Sequence, residues 1–174
     1  MRIMSLLCLI LAGGKSTRMN QDKSLMFDSV NKLSQELTAR GCNVLVACGT
    51  VDRTSLFNSK CWIDPAGTES VAQAIRSFTE EYDGEIQLFP CDMFRLDEHA
   101  IDVLLAQEPG VPIDSVGREQ FTLSRIPEGC MLPDVMSMRE LFSGLNRNAM
   151  SALGNRLENF NHQDQIDALN KSNQ

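Results

Sequence analysis

The chain has 174 residues, 43% of them hydrophobic and 22% charged. That is an ordinary globular composition, with enough length for one domain (residues 1–174) built on a proper core. The net charge of −7 argues against a general nucleic-acid binder, which needs a basic surface, and no apolar run is long enough to span a bilayer.

Residues 3–11 are almost continuously apolar, as expected of a parallel strand buried on both faces. Leu25, Met26, Val30, Leu33 and Leu37 then recur at helical spacing over 25–40, and Gly41 is placed to cap that helix. Residues 44–48 form a second buried strand and 61–63 a short third. Val71, Ile75 and Phe78 mark a helix over 68–82, followed by a strand over 85–90 and a helix over 96–107 closed by Pro109-Gly110. This alternation predicts an α/β fold: a three-layer sandwich with a mostly parallel, Rossmann-like sheet and helices on both faces. Further on the pattern changes. Residues 111–116 and 120–126 flank Gly117-Arg118 as a hairpin or as two separate strands. Short helices are expected over 134–145 and 148–153, a last strand over 156–161, a closing helix over 164–170 and a frayed tail after it.

Six cysteines stand at positions 8, 42, 48, 61, 91 and 130 with no C-x-x-C pair. They read as reduced thiols of a cytoplasmic protein rather than as a zinc site or disulfides. Residues 3–12 behind Arg2 imitate a signal-peptide core, but cleavage there would destroy the strongest motif of the chain.

That motif is Leu9-Ile10-Leu11-Ala12-Gly13-Gly14-Lys15-Ser16-Thr17-Arg18-Met19, closely followed by Asp22-Lys23. A strand that ends in two glycines and runs into hydroxyls and cations suits a polyphosphate: glycines let backbone N–H groups approach the anion, and the cations balance its charge. Gly14-Lys15-Ser16 imitates the end of a Walker A loop, but the first glycine of that pattern would fall on Leu9. The dinucleotide pattern G-x-G-x-x-G fails as well, since Gly13 and Gly14 are adjacent. A second motif, Phe89-Pro90-Cys91-Asp92-Met93, puts a carboxylate just past a buried strand. Mg²⁺ takes one or two carboxylates together with phosphate oxygens and water. Asp92 therefore reads as a metal ligand, or else as a cap of the following turn. Both motifs belong at the carboxyl edge of the sheet, where open α/β folds bind ligands.

Leu-Ala-Gly-Gly-x-Ser-x-Arg-Met-x-x-Asp-Lys resembles the signature of the molybdenum cofactor guanylyltransferases, the nucleotidyltransferases that build molybdopterin guanine dinucleotide. The resemblance implies a GT-A-like nucleotidyltransferase sheet and transfer of GMP from GTP to the phosphate of molybdopterin, with Mg²⁺ as cofactor and pyrophosphate as product. It implies that Leu11, Ala12, Gly13, Gly14, Lys15 and Ser16 wrap the nucleotide, that Asp92 holds Mg²⁺, and that Lys23 and Arg18 act with Asp92 in transfer. It also implies transient contact with other cofactor-biosynthesis proteins or molybdoenzymes. By position Asp64 matches the family aspartate that contacts the nucleoside, although Asp64-Pro65 reads equally as a plain turn. Gly13 matches relatives that use GTP, where users of CTP often carry alanine.

The resemblance is weaker elsewhere. Gly67-Thr68-Glu69-Ser70 replaces a Gly-Pro-Leu segment, Phe94 stands where proline is common, and Met26-Phe27 follows where Gly-Lys-Pro-Leu is usual. Phe121-Thr122-Leu123-Ser124 resembles a family strand without its histidine and proline. Asn159 and Asn161 resemble part of a closing family motif, in which Asn161 would approach the metal or second substrate, or else cap a helix. His99 and His162 have no partner at catalytic spacing and read as surface residues. Two alternatives stay open: a related CTP or UTP transferase with another phosphorylated or sugar acceptor, and a divergent non-catalytic paralogue that binds nucleotide.

Overall fold

The computed structural model describes residues 5–13, 22–157 and 163–172. Its centre is a five-stranded sheet of β1 (Leu7–Leu11), β2 (Asn43–Gly49), β3 (Cys61–Ile63), β4 (Ile86–Pro90) and β6 (Arg125–Ile126), in the order β3-β2-β1-β4-β6. The first four strands run parallel and β6 is antiparallel to β4. β1 is central, with Leu11 level with Ala47 on one side and Pro90 on the other.

Side chains of β1 alternate between two cores, as the period of a strand requires. Cys8 and Ile10 pack with α1 (Ser29–Ala39) and α3 (Glu98–Leu105) through Val30, Leu37, Ala100, Ile101 and Leu104. Leu7 and Leu9 pack on the opposite face with α2 (Val71–Glu81) and α4 (Met138–Leu141) through Ala72, Ile75, Phe78 and Leu141. These are the three layers expected from the sequence. α2 starts where Ser70 accepts a hydrogen bond from the Gln73 N–H, and α3 where Asp97 accepts one from Ala100; both are N-caps of the preferred residue types. All six cysteines are free thiols. Among the described residues no helix is long and apolar enough to cross a membrane.

Several expected elements differ. The helix expected over 25–40 is interrupted: a 3₁₀ segment, Lys23–Asp28, precedes α1, and Phe27 (φ 56°) and Asp28 (φ 51°) break the spiral in left-handed conformations. Asp22 caps the 3₁₀ segment by accepting from the Ser24 N–H. Of the two readings of 111–116 and 120–126, the structure has the separate strands, with β6 in the large sheet. β5 (Val111–Ile113) pairs in parallel with β7 (Arg147–Ala149) as a separate two-stranded sheet. Phe121–Leu123 is a 3₁₀ turn rather than a strand. The helix expected over 148–153 gives way to β7 and a 3₁₀ segment, Ser151–Leu157. That segment includes Arg156 and replaces the start of the strand expected over 156–161; residues 158–162, with Asn159, Asn161 and His162, lie outside the described residues. The closing helix, α5 (Gln163–Ser172), is present and seats Ile166 against Met26.

Candidate active site

Three loops leave the carboxyl ends of parallel strands: Ala12-Gly13 after β1, Asp64-Pro65 after β3 and Cys91-Asp92 after β4. They gather the described candidate residues on one edge of the sheet. Gly14, Lys15, Ser16 and Arg18 lie outside the described residues. The chain is described again at Asp22, immediately before Lys23.

Lys23 Nζ lies 3.2 Å from Asp92 Oδ2, joining positions 69 residues apart. Both side chains are largely shielded from solvent, with 14% and 19% exposure. The pair therefore brings the end of the glycine loop to the end of β4, as the two motifs required. Beside them lies Cys91, whose carbonyl accepts from Ser29 Oγ at 3.2 Å. Burial first, and then the charges of Asp92 and Asp22, push the Cys91 thiol up to about 12 against the opposing pull of Lys23. A thiol so protonated is no nucleophile at neutral pH. The same three charges thus surround one point at the strand end.

Asp92 is a carboxylate on a rigid strand end, and no group of three His, Cys, Asp or Glu side chains gathers among the described residues. Among the described residues, Asp92 would be the carboxylate offered to a cation here, with phosphate oxygens and water as further ligands. That is the coordination Mg²⁺ accepts, so the residues fit it.

On the other side of β1 a cleft of about 270 Å³ is lined by Leu11, Gly13, Ala47, Asp64, Thr68 and the start of α2. It brings Leu11, Gly13 and Asp64 together. Asp64 is fixed by its backbone N–H, which donates to the Gly49 carbonyl at 2.9 Å. Burial holds its carboxyl above the ordinary value. Thr68 is turned onto Pro65, its hydroxyl donating to the Pro65 carbonyl at 2.7 Å.

Gly13 has a reason of its own to be glycine. A Cβ there would stand 3.1 Å from the Gly49 Cα, and one on Gly49 (φ +87°) would stand 2.9 Å from the Gly13 oxygen. The loops after β1 and β2 thus meet backbone to backbone. A side chain at position 13 would therefore press on the Gly49 backbone, a packing reason for glycine that is independent of any ligand.

Sequence reasoning missed Arg53. It sits on a 3₁₀ turn, Val51–Leu56, after β2 and is only 6% exposed. Its Nε donates to the Cys48 carbonyl (2.9 Å), Nη2 to the Ala12 carbonyl (2.8 Å) and to Ser24 Oγ (3.0 Å), and Nη1 to Asp22 Oδ2 (2.6 Å). An arginine in a polar stretch after a strand carries no local sign of burial; only the fold brings its four acceptors together. His99, read as a surface residue, is exposed.

No protein of curated function matches the sequence. Among solved structures, the chain is similar to the molybdopterin-guanine dinucleotide biosynthesis protein A of Archaeoglobus fulgidus, with TM-score 0.71 and 13% identity over 95% of this chain and 97% of that one. It is similar to a protein of Aquifex aeolicus, with TM-score 0.69 and 14% identity over 91% of this chain and 95% of that one. It is also similar to the 4-diphosphocytidyl-2C-methyl-D-erythritol synthase of Anaerococcus prevotii, with TM-score 0.58 and 8% identity over 97% of this chain and 96% of that one. At such identities the likeness is one of fold. A family match over residues 8–140 covers β1 to α4 and every described site residue, and by it the chain belongs to the MobA-like NTP transferase domain family.

Proposed function

We propose that this chain is a nucleotidyltransferase that moves GMP from GTP to the phosphate of molybdopterin and releases pyrophosphate, with Mg²⁺ as cofactor. The observation that carries the reading is the Lys23–Asp92 contact at 3.2 Å, set one strand away from a cleft that holds Leu11, Gly13 and Asp64.

An oxygen of the acceptor phosphate attacks the α-phosphorus of the triphosphate. The bond from that phosphorus to the β-bridging oxygen breaks, and pyrophosphate leaves with the electron pair. The acceptor is already an anion, so the chain has no nucleophile to supply, and positioning and charge stabilisation do the work. The loop from Leu11 to Arg18 wraps the triphosphate, with Gly14, Lys15 and Ser16 as donors. Lys23 turns from Asp92 to the α-phosphoryl oxygens and the departing pyrophosphate. Asp64 meets the ribose or base in the cleft. Asp92 would hold Mg²⁺, which, when bound, draws the phosphate oxygens together and offsets their charge.

We expect Lys23→Ala and Asp92→Ala to lower pyrophosphate release by a hundredfold or more, about 3 kcal/mol of transition-state stabilisation, with unchanged circular dichroism. Normal release by both variants overturns the assigned roles. A second reading takes CTP or UTP and another phosphorylated or sugar acceptor. It is favoured by the likeness to a diphosphocytidyl synthase fold and by Gly67-Thr68 in place of Gly-Pro-Leu. A thermal-shift panel separates the two. A triphosphate at 100 times its Kd should stabilise the fold by about 2.7 kcal/mol, and only GTP with Mg²⁺ should do so under the first reading.

A further inference from the structure

We infer that Arg53 is a positioning residue for Lys23: by gripping Asp22 and Ser24 on either side of it, together with the ends of β1 and β2, it fixes where the Lys23 ammonium stands relative to Asp92. The inference rests on the nucleotidyltransferase reading for its kinetic consequence, but not for its geometric one.

Arg53 joins three chain segments. Through Ala12 it holds the last described turn of β1 before the glycine loop, and through Cys48 it holds the end of β2. Through Asp22 and Ser24 it holds the residues where the chain returns from that loop. Lys23 is the residue between the last two. Asp22 is fully engaged by the chain itself: Oδ2 accepts from Arg53, and Oδ1 accepts from the Ser24 N–H at 3.0 Å and from Ser24 Oγ at 2.6 Å. The carboxylate next to Lys23 is therefore neutralised by another cation, and Asp92 receives the Lys23 ammonium.

Stability alone does not call for this arrangement. Well-packed apolar residues often replace a buried ion pair without loss, whereas breaking one side of it is costly. What an apolar side chain cannot do is hold two carbonyls, a hydroxyl and a carboxylate at fixed angles; the forked guanidinium can, and an ammonium cannot reach all four. Phe57 supports the fork from beneath, 5.9 Å from its carbon. Small displacements of a charged group at a reacting centre are expensive in rate: about 1 Å costs about a hundredfold.

The test compares the wild type with Arg53→Lys, Arg53→Met, Asp22→Asn and the double variant Arg53→Met/Asp22→Asn. Steady-state pyrophosphate release gives kcat and KM, and a crystal structure of each folded variant locates the Lys23 ammonium. We expect Arg53→Met to lower kcat by about a hundredfold while KM for the triphosphate stays within about threefold. Lys23 Nζ should move away from Asp92 toward Asp22. Adding Asp22→Asn should return at least a tenth of the wild-type kcat. Arg53→Lys should fold and fall between Arg53→Met and the wild type; it serves alone if Arg53→Met does not fold. Wild-type kcat in Arg53→Lys or Arg53→Met overturns the inference. So does a loss confined to KM, or a Lys23 ammonium that stays 3.2 Å from Asp92 in the variants. A wild type that releases no pyrophosphate from any triphosphate refutes the functional reading instead, and the Lys23 position in the variant crystals still decides the role of Arg53.

Discussion

Asp22 and Asp64 stand at the same sheet edge and are pushed in opposite directions. Burial pulls the Asp22 carboxyl up, but hydrogen bonds from Arg53 and Ser24 outweigh it and hold the group below its ordinary value of 3.8. Burial acts alone on Asp64 and holds it above 3.8. The folded state therefore favours the charged form of Asp22, whose contribution is complete above pH 3.8 and fades as pH falls through the lowered value. It favours the neutral form of Asp64, whose ionisation penalty is present at neutral pH and is relieved as pH falls through the raised value. Asp22→Asn should lower Tm at pH 7, and that deficit should shrink as pH falls below 3.8; Asp64→Asn should raise Tm at pH 7, and that gain should shrink in acid. Melting curves from pH 3 to pH 7 check both, and curves that run parallel to the wild type refute the assignment. Among these residues, Lys23, Asp64 and Asp92 were legible in the sequence because each follows an apolar strand or its glycine loop within a short distance. Arg53 was not, because its partners are Ala12, Asp22, Ser24 and Cys48, which no local pattern connects.

At the scale of elements, legibility tracks how local each element is. β1, β2, β4 and the helices α2 and α3 carry their own apolar period, and the two helices their own N-caps, so their ranges read well from the chain, whereas α1, without a side-chain N-cap bond, starts later than its apolar period suggested. β7 was read as part of a helix because Arg147-Asn148-Ala149 has no strand signature. It becomes a strand through distant contacts: backbone pairing with β5, an ion pair from Arg147 to Glu119 at 2.6 Å, and a bond from Asn148 Nδ2 to the Glu108 carbonyl at 2.7 Å. Gly110 is the joint where this strand docks. Its φ is +153°, its N–H donates to the Arg125 carbonyl at 2.9 Å, and a Cβ there would lie 2.7 Å from the Asn146 oxygen. Gly110→Ala must therefore push β5 and β7 apart or shift the 146–148 backbone. We expect a cost of about 2 kcal/mol, roughly a 5 °C drop in Tm for a chain of this size. Differential scanning calorimetry measures it, and an unchanged Tm would mean that the joint relaxes freely.

For the molecule as a whole, the question is how the small β5–β7 sheet is held to the large one that carries the site. The sequence could not show strand order, because order is decided by which faces and edges find partners. A buried amide network supplies part of the answer. Gln87 on β4 is wholly buried and donates through Nε2 to the Leu123 carbonyl at 2.9 Å. Gln107, just past α3, donates to Gln87 Oε1 at 2.9 Å and to the Leu123 carbonyl at 3.0 Å. Asn148 on β7 donates to Gln107 Oε1 at 3.3 Å. Strand β4, whose other end carries Asp92, is thereby tied through α3 to β7. In such a network, removing one member costs more than the bonds it made, because a buried partner is left without its donor. Gln107→Leu deprives the Gln87 oxygen of its donor and should cost about 2 kcal/mol. Gln87→Leu in that background removes the stranded oxygen but also takes from the Leu123 carbonyl its remaining amide donor, so the two losses should not add, with a coupling of about 1 kcal/mol. Urea denaturation of the four proteins completes the cycle. Losses that add to within about 0.3 kcal/mol would show the two glutamines to be independent, and would leave backbone pairing and apolar packing to join the sheets.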